Sequence, residues 1–199
     1  MSTHRSIGFR GGFSLVEVMI VVAIIGVIAS LATYGVVRYL KHAKTAEATR
    51  ALSNIETGSK AQFQLDVDVG GAGTGPFVHR FCPDSTLNPP STGLPVGAKV
   101  KAPAGDWNDA AWKCLRFSIN DPQFYQYKYV GNTTQTGSAA TYSATANGDL
   151  DGNGVRSTFQ LTGRGGANGE AQRVGFTITN EDESSLSDSW SCRSCRGRR

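Results

Sequence analysis

The chain has 199 residues, which fits one folded domain with an extension, and its hydrophobic content of 39% is that of a globular rather than a disordered protein. The net charge of +4 comes from the two ends, because Arg5 and Arg10 lie near the start and four more arginines lie among the last seven residues (Arg193, Arg196, Arg198 and Arg199). Without these six, 14 of the 20 basic residues remain against 16 acidic ones, which excludes a broad basic binding face, so no specific nucleic-acid partner is predicted.

The first predicted element is an apolar segment from Phe13 to Val37 whose 25 residues include one charged residue, Glu17. As a helix it would measure about 37 Å, enough to cross a hydrocarbon layer of about 30 Å. Because Arg5 and Arg10 precede the segment, we expect the N-terminus to stay in the cytoplasm and the following residues to be exported. Two alternatives are a secretory signal peptide, with a small-x-small cleavage site at Ser30-Leu31-Ala32, and a plain membrane anchor.

Glu17 favours a third interpretation, in which the segment is built to leave the lipid. A carboxylate within the hydrocarbon layer costs up to about 2.5–3.5 kcal/mol, and a plain anchor gains nothing from it. If the chain is cut after Gly12, the new α-amine of Phe13 lies four residues before Glu17. The amine of one copy then pairs with the carboxylate of a neighbouring copy, and this pairing sets the axial register of helices that bundle into a fibre.

The segment GGFSLVEVMIVVAIIGVIASLA resembles the class III signal of type IV prepilins and type II secretion pseudopilins. The resemblance implies that prepilin peptidase cuts after Gly12, that Phe13 becomes the N-methylated first residue, and that Glu17 is the fifth mature residue and serves filament assembly. One departure is that many major pilins have a proline where this chain has Tyr34. The helix break associated with that proline is therefore not carried over.

The resemblance also predicts a function and its partners. We expect a structural subunit of a type IV pilus-like filament, with a type II secretion pseudopilin or minor pilin as the alternative and a secreted or anchored binding module as a third option. The implied partners are other copies of the chain, prepilin peptidase and the pilus or secretion assembly machinery. The precursor is expected to span the inner membrane once and then to enter an extracellular pilus or a periplasmic pseudopilus. We expect no enzyme, because the three histidines (His4, His42 and His79) fit no catalytic motif.

Helical periodicity continues beyond the apolar segment, and no proline occurs between Ser14 and Gln64. We therefore predict one helix over this range, apolar all round in its first half and on one face in its second. The alternative is two helices joined near Gly35.

The predicted fold class is α+β, a long N-terminal helix packed on an antiparallel sheet of about four strands, as in pilins. The predicted regions are a leader (1–12), the helix (13–64, with 13–37 as the transmembrane or filament-core part), a variable loop (65–114), the sheet head (115–183) and a Cys/Arg-rich tail (184–199).

After the helix, turn-rich sequence gives way to a period of two. A short strand or a helical turn is predicted within the loop region, for example at Asp109 to Leu115. Alternation predicts strands in five places (115–119, 124–130, 140–146, 157–162 and 173–179). The tyrosines of 124–130 are assigned to core and sheet surface, and the inward faces are expected to come from two later strands (Phe159, Leu161, Val174, Phe176 and Ile178).

The four cysteines allow three pairings, and an exported domain favours disulfides. We favour a bond between Cys82 and Cys114, which would tie the long loop to the start of the sheet. Cys192 and Cys195 form a CxxC motif. Such a motif occurs in redox and zinc sites, but in an exported tail a local disulfide or a bond back to the head is favoured.

Residues 149–157 resemble the first half of a calcium-binding loop. Side-chain oxygens of Asp149, Asp151 and Asn153 and the carbonyl of Val155 have the spacing that suits Ca²⁺. The acid expected at the twelfth position is replaced by Gln160, and the flanking segments are strand-like, so an EF-hand is excluded. The alternative is a hairpin turn that favours Asp, Asn and Gly for conformational reasons.

Overall fold

The computed structural model describes residues 12, 14–65, 67–68, 75–166 and 168–179. The described chain is an α+β arrangement of one long helix, one short helix and an antiparallel four-stranded sheet. Two compact units divide between Leu40 and Lys41. The elements are α1 (Leu15–Phe63), β1 (Val67–Asp68), β2 (Phe77–Val78), α2 (Ala110–Leu115), β3 (Gln126–Val130), β4 (Thr141–Gly148), β5 (Ser157–Gly165) and β6 (Ala171–Thr179).

The long helix α1 is assigned as a single element of 49 residues. Its bounds lie within one residue of the range predicted from the absence of proline, and the helix is assigned through position 34, where many pilins have proline. Gly58 interrupts the run of helix formers for a packing reason. A Cβ at this position would come within 2.2 Å of the carbonyl oxygen of Leu115, so α1 and the end of α2 can approach closely only with glycine there.

From Ala48 onward, one face of α1 is buried against the sheet and the loop that precedes it. Leu52, Ile55 and Phe63 are fully buried in the core, and the Phe63 ring stacks on Phe81 with centroids 4.5 Å apart. The tyrosines of β3 and the residue before it contribute the opposing surface (Tyr125, Tyr127 and Tyr129), all fully buried. Their assignment to the core is therefore confirmed.

The sheet has the strand order β3-β4-β5-β6, with every neighbouring pair antiparallel. This confirms the predicted four-stranded sheet, and Phe159 and Leu161 of β5 lie in the core as expected. The loop before α2 covers the outer edge of β3. The amide of Tyr127 donates to the carbonyl of Pro89 at 2.9 Å, and the amide of Ser85 donates to the carbonyl of Tyr129 at 2.8 Å.

The strand predicted at 115–119 is wrong. Leu115 is the last residue of α2, so the helical turn is the correct one of the two alternatives predicted for 109–115. The N-cap Asp109 accepts a hydrogen bond from the amide of Ala110. Arg116 adopts a left-handed conformation, with φ of 52°, and its amide and that of Phe117 bond back to α2 carbonyls. The alternating apolar residues therefore arise from a helix end that packs into the core.

The β6 side chains Phe176 and Ile178 face inward as expected, but they are not buried. Phe176 and Ile178 lie opposite Leu161 and Phe159 of β5, and thus on the core-facing side of the sheet. Both nevertheless keep 37% of their surface exposed, and Val174, next to an irregularity in the pairing, keeps 63%. The physical reason is position, because β6 is at the end of the strand order and the described core does not extend over it.

Candidate functional site

The first half of α1 is an apolar helix without a buried face. Residues Leu15–Thr33 have a mean hydropathy of 2.7, and none of them is buried. Their large side chains are half to three-quarters exposed, from 49% at Val21 to 75% at Leu15. A helix that is apolar on all sides is stable only where another apolar medium surrounds it, either lipid or other helices. At about 28 Å its length is close to the thickness of a hydrocarbon layer.

The polar groups of this segment are arranged differently at its two ends. Near the C-terminal end, the hydroxyl of Ser30 donates to the carbonyl of Val27 at 2.7 Å, and that of Thr33 donates to the carbonyl of Ser30 at 2.9 Å. These bonds satisfy both hydroxyls within the helix, which lowers their cost in an apolar medium. Near the N-terminal end, the carboxylate of Glu17 lies exposed in the first turn.

Glu17 is placed where the helix favours a negative charge, since the N-terminal end of a helix dipole is positive. It is the one charged residue between Leu15 and Thr33, so a full counter-charge has to come from outside this stretch. Gly12 is exposed and precedes the helix. Phe13, the residue predicted to follow the cleaved bond, lies outside the described residues.

Residues 9–33 match the family model of the prokaryotic N-terminal methylation motif. The chain carries this methylation motif. It is the class III signal of type IV pilins, which supports a prepilin-type protein and points to a structural protein rather than an enzyme. No curated protein and no solved structure matches the chain.

The methylation motif contains the three residues singled out from the sequence, Gly12, Phe13 and Glu17. The structure places Gly12 ahead of the helix and Glu17 in its first turn. The apolar helix that follows fits a membrane-anchored precursor. Cleavage after Gly12, methylation of Phe13 and the pairing role of Glu17 stay predictions.

The head contains the favoured disulfide, between Cys82 and Cys114. Cys114 lies in α2, and Cys82, which is 1% exposed, lies in the loop that runs beside β3. The carbonyl of Cys82 is so close to Gly131 that a Cβ there would come within 1.8 Å of it. The bond therefore anchors the loop at a tightly packed point. Cys192 and Cys195 lie outside the described residues.

The predicted calcium loop connects β4 to β5, and its side-chain oxygens bond to the loop itself. The carboxylate of Asp149 accepts from the amides of Gly152 and Gly154 at 2.7 and 3.0 Å. The side chains of Asp151 and Asn153 accept from amides two residues further on, at 3.0 and 2.6 Å, which is the pattern of Asx turns. These bonds stabilise a hairpin without requiring a cation.

A carboxylate that accepts amide hydrogen bonds still has lone pairs for a metal, so the oxygens of this loop fit Ca²⁺ as well as a turn. Among the described residues, no group of three or more His, Cys, Asp or Glu side chains is placed to hold a metal ion. Calcium binding at Asp149, Asp151, Asn153 and Val155 stays a prediction.

A buried carboxylate that the sequence analysis did not single out connects α1 to β6. Glu56 is 4% exposed. Its carboxylate pairs with Lys60 one helical turn later, at 2.7 Å, and with the guanidinium of Arg173, whose Nε donates at 2.9 Å. The i,i+4 spacing of Glu56 and Lys60 is a sequence signal from which this ion pair could have been predicted. The ion pair of Glu56 with Arg173 joins residues 117 positions apart, and no local sequence pattern predicts it.

The surroundings of Glu56 determine its charge. Burial alone would raise the pKa of Glu56, but the hydrogen bonds and charges of Arg173 and Lys60 outweigh it and bring the pKa below the ordinary value of 4.5. A lowered folded-state pKa means that the carboxylate stabilises the fold above its unfolded pKa. This contribution is present at neutral pH and is lost as the pH falls below about 4.

We expect Arg173→Ala to lower the free energy of unfolding by about 1–2 kcal/mol at pH 7, because the buried carboxylate loses one of two cations and Arg173 is itself half exposed. The difference from the unmodified protein should shrink as Glu56 becomes protonated below about pH 4. Urea unfolding of the detergent-solubilised chain, followed by near-UV circular dichroism at pH 7 and below pH 4, measures the loss of unfolding free energy and its dependence on pH. Arg164→Ala, which removes an exposed arginine of β5, is the matched control, and an equal loss there would contradict the assignment.

Proposed function

We propose that this chain is a structural subunit of a type IV pilus-like filament, processed by prepilin peptidase after Gly12 and assembled through its N-terminal helix. The observation that carries the proposal is the exposed apolar surface of Leu15–Thr33, interrupted by the single carboxylate of Glu17. Such a surface suits two apolar media in succession, first the inner membrane and then a bundle of identical helices. A plain anchor needs only the first and gains nothing from the acid.

The partners follow from the same surface. The N-methylated amine of Phe13 on one copy pairs with the carboxylate of Glu17 on its neighbour, while the apolar side chains of neighbouring helices exclude water. The assembly machinery of a pilus or secretion system extracts the subunit from the membrane. The subunit ends in an extracellular pilus, or in a periplasmic pseudopilus if the fibre belongs to a secretion system.

The mature N-terminus tests the proposal directly. We expect mass spectrometry of the membrane-extracted protein to find N-methylated Phe13 as the first residue, because the proposed cut follows Gly12. The match of residues 9–33 to the methylation motif supports this expectation. Gly12→Val should leave the precursor uncut, whereas Gly11→Val serves as the matched control on the neighbouring glycine. A mature chain that starts at Thr33 would show a conventional signal peptide and sink the filament proposal.

The abundance of the protein in fibres separates the kinds of filament that use such a helix. Mechanical shearing should release fibres in which this chain is the main component if it is a major pilin. A minor pilin or a type II secretion pseudopilin would instead be scarce in the sheared fraction while carrying the same processed N-terminus.

A further inference from the structure

The sequence contains the dipeptide Asn-Gly three times, in three different surroundings. Asn147-Gly148 is part of β4, Asn153-Gly154 lies in the loop between β4 and β5, and Asn168-Gly169 lies in the turn between β5 and β6. An asparagine followed by glycine can react with its own backbone, because glycine has no Cβ to hinder attack by its amide nitrogen. The surroundings of each copy therefore decide whether it reacts.

At Asn153 the side-chain carbonyl is held beside the amide of the next residue. Its Oδ1 accepts a hydrogen bond from the amide of Val155 at 2.6 Å, which folds the side chain back along the chain as an Asx turn. The ring closed by this bond contains the amide nitrogen of Gly154, so this nitrogen and the side-chain carbonyl carbon of Asn153 are kept near each other. The Val155 amide also donates to the oxygen on which negative charge develops when the carbonyl is attacked.

The amide that would attack is bonded to a carboxylate. Gly154 donates its N–H to Oδ2 of Asp149 at 3.0 Å, and Asp149 is buried. A carboxylate in this place can take the proton as the nitrogen attacks, which is the role of a general base. The Nδ2 of Asn153 donates to the carboxylate of Asp151 at 3.0 Å, and this bond fixes the plane of the side-chain amide.

The other two copies lack this arrangement. Asn147 is buried in the ladder of β4, and its Oδ1 accepts from the hydroxyl of Thr158 on β5 at 2.9 Å, so its side chain is directed across the sheet rather than along the chain. Asn168 is exposed, and its side chain makes no hydrogen bond to another described residue. Asn147 and Asn168 are therefore internal comparisons for Asn153, with the same dipeptide in a fixed strand and in an unsupported turn.

We propose that Asn153 is a self-modification site, at which the chain converts its own side-chain amide into a carboxylate. The nitrogen of Gly154 forms a bond to Cγ of Asn153 while its proton passes to Asp149 and on to solvent. The bond from Cγ to Nδ2 then breaks, and the nitrogen leaves as ammonia with a proton from water. Water opens the resulting cyclic imide to aspartate or isoaspartate, so that an amide and a water molecule become a carboxylate and an ammonium ion.

The product changes the loop between β4 and β5. It adds a negative charge beside Asp149 and Asp151, and it removes the amide that donates to Asp151. Like charges that lose their hydrogen-bond donor repel one another, so the modified hairpin is looser than the original one. The proposal does not depend on the filament proposal, because the reaction needs only the folded head and water.

Peptide mapping of the full chain tests the proposal, after incubation in detergent micelles with EDTA and with water that carries heavy oxygen. We expect heavy oxygen to enter at Asn153 at least about tenfold faster than at Asn168, because a positioned base and an oxyanion donor each contribute at least that factor. Asn147 should stay unmodified. In urea with the disulfide reduced, where only the local sequence remains, the rates at the three sites should become similar.

Two variants show whether Asp149 acts as described. Asp149→Asn keeps the size of the side chain and should slow the reaction at Asn153 by about tenfold or more, with the rate at Asn168 unchanged. Asp121→Asn makes the same substitution at an exposed carboxylate outside the loop, and this matched control should leave the rate at Asn153 unchanged. Equal rates at Asn153 in the two variants would contradict the role of Asp149.

Two results in the unmodified chain would overturn the proposal, and they hold even if Asp149→Asn disturbs the loop. A rate at Asn153 that is equal to or below the rate at Asn168 would show that the hydrogen bonds protect this amide. A faster reaction at Asn153 that persists in urea would show that the local sequence, and not the fold, determines the rate.

Discussion

Replacing Glu17 with alanine should abolish fibre assembly and leave the subunit in the membrane. The substitution removes the one carboxylate of the apolar helix and leaves the amine of Phe13 in each neighbouring copy without a partner. Leaving one member of a buried ion pair alone costs about 3–5 kcal/mol, which lowers each helix–helix association by more than about a hundredfold. Membrane insertion should improve, because a charge is removed from the span. Immunoblots of sheared and membrane fractions measure both effects.

Two further substitutions make this result specific. Val18→Ala truncates a neighbouring exposed side chain of the same turn without changing charge, and we expect it to assemble. Glu17→Gln keeps the size and the hydrogen-bonding oxygen but removes the charge, so it should fail as Glu17→Ala does. Normal fibres from Glu17→Gln would refute the charge pairing, and normal fibres from Glu17→Ala would refute any role of this side chain in assembly.

Loss of the head disulfide should have the largest effect on stability. We expect Cys82→Ala/Cys114→Ala to lower the free energy of unfolding by about 3–4 kcal/mol, because the bond closes a loop of 32 residues in the unfolded chain. For a domain of this size the loss corresponds to a decrease in Tm of roughly 10 °C. Thermal unfolding of the solubilised chain, with and without reductant, measures the change, and reductant should bring the unmodified chain to the Tm of the variant.

The second cysteine pair supplies the comparison. Cys192→Ala/Cys195→Ala makes the same chemical change at residues that are three positions apart, where a local bond would close too short a loop to restrict the unfolded chain much. We therefore expect a much smaller decrease in Tm. A Cys82→Ala/Cys114→Ala variant that melts with the unmodified chain would show that the head does not depend on this bond.

Much of the fold was predictable because local periodicity reports which side of an element is buried. The absence of proline predicted α1 to within a residue at each end, and alternation predicted the four strands and the burial of Tyr127, Tyr129 and Phe159. Alternation failed at Leu115–Ile119, where a helix end and the loop after it mimic a period of two. A strand and a helix end are distinguished here by the tertiary contact of the end of α2 with Gly58, which the sequence pattern does not contain.

Features that depend on strand order were not accessible from the sequence. The pattern of Val174, Phe176 and Ile178 correctly predicted a strand, but a pattern within one strand does not tell whether that strand lies at the centre or the edge of a sheet. The pairing of Glu56 with Arg173 requires α1 and β6 to meet, which follows from the order β3-β4-β5-β6. At the N-terminus the situation is reversed, because Gly12, Phe13 and Glu17 are recognised by sequence. The fold adds only the locations of Gly12 and Glu17.

The loop that bonds to the outer edge of β3 limits how these heads can associate. Prepilins are held together in one membrane, where stacking of exposed sheet edges would compete with ordered growth. With Tyr127 and Tyr129 already bonded to Pro89 and Ser85, a sheet that continues from molecule to molecule through both edges cannot form. Each head can accept a foreign strand on one side at most, so such contacts end at a pair. In the proposed filament, unlimited growth is therefore left to the N-terminal helices.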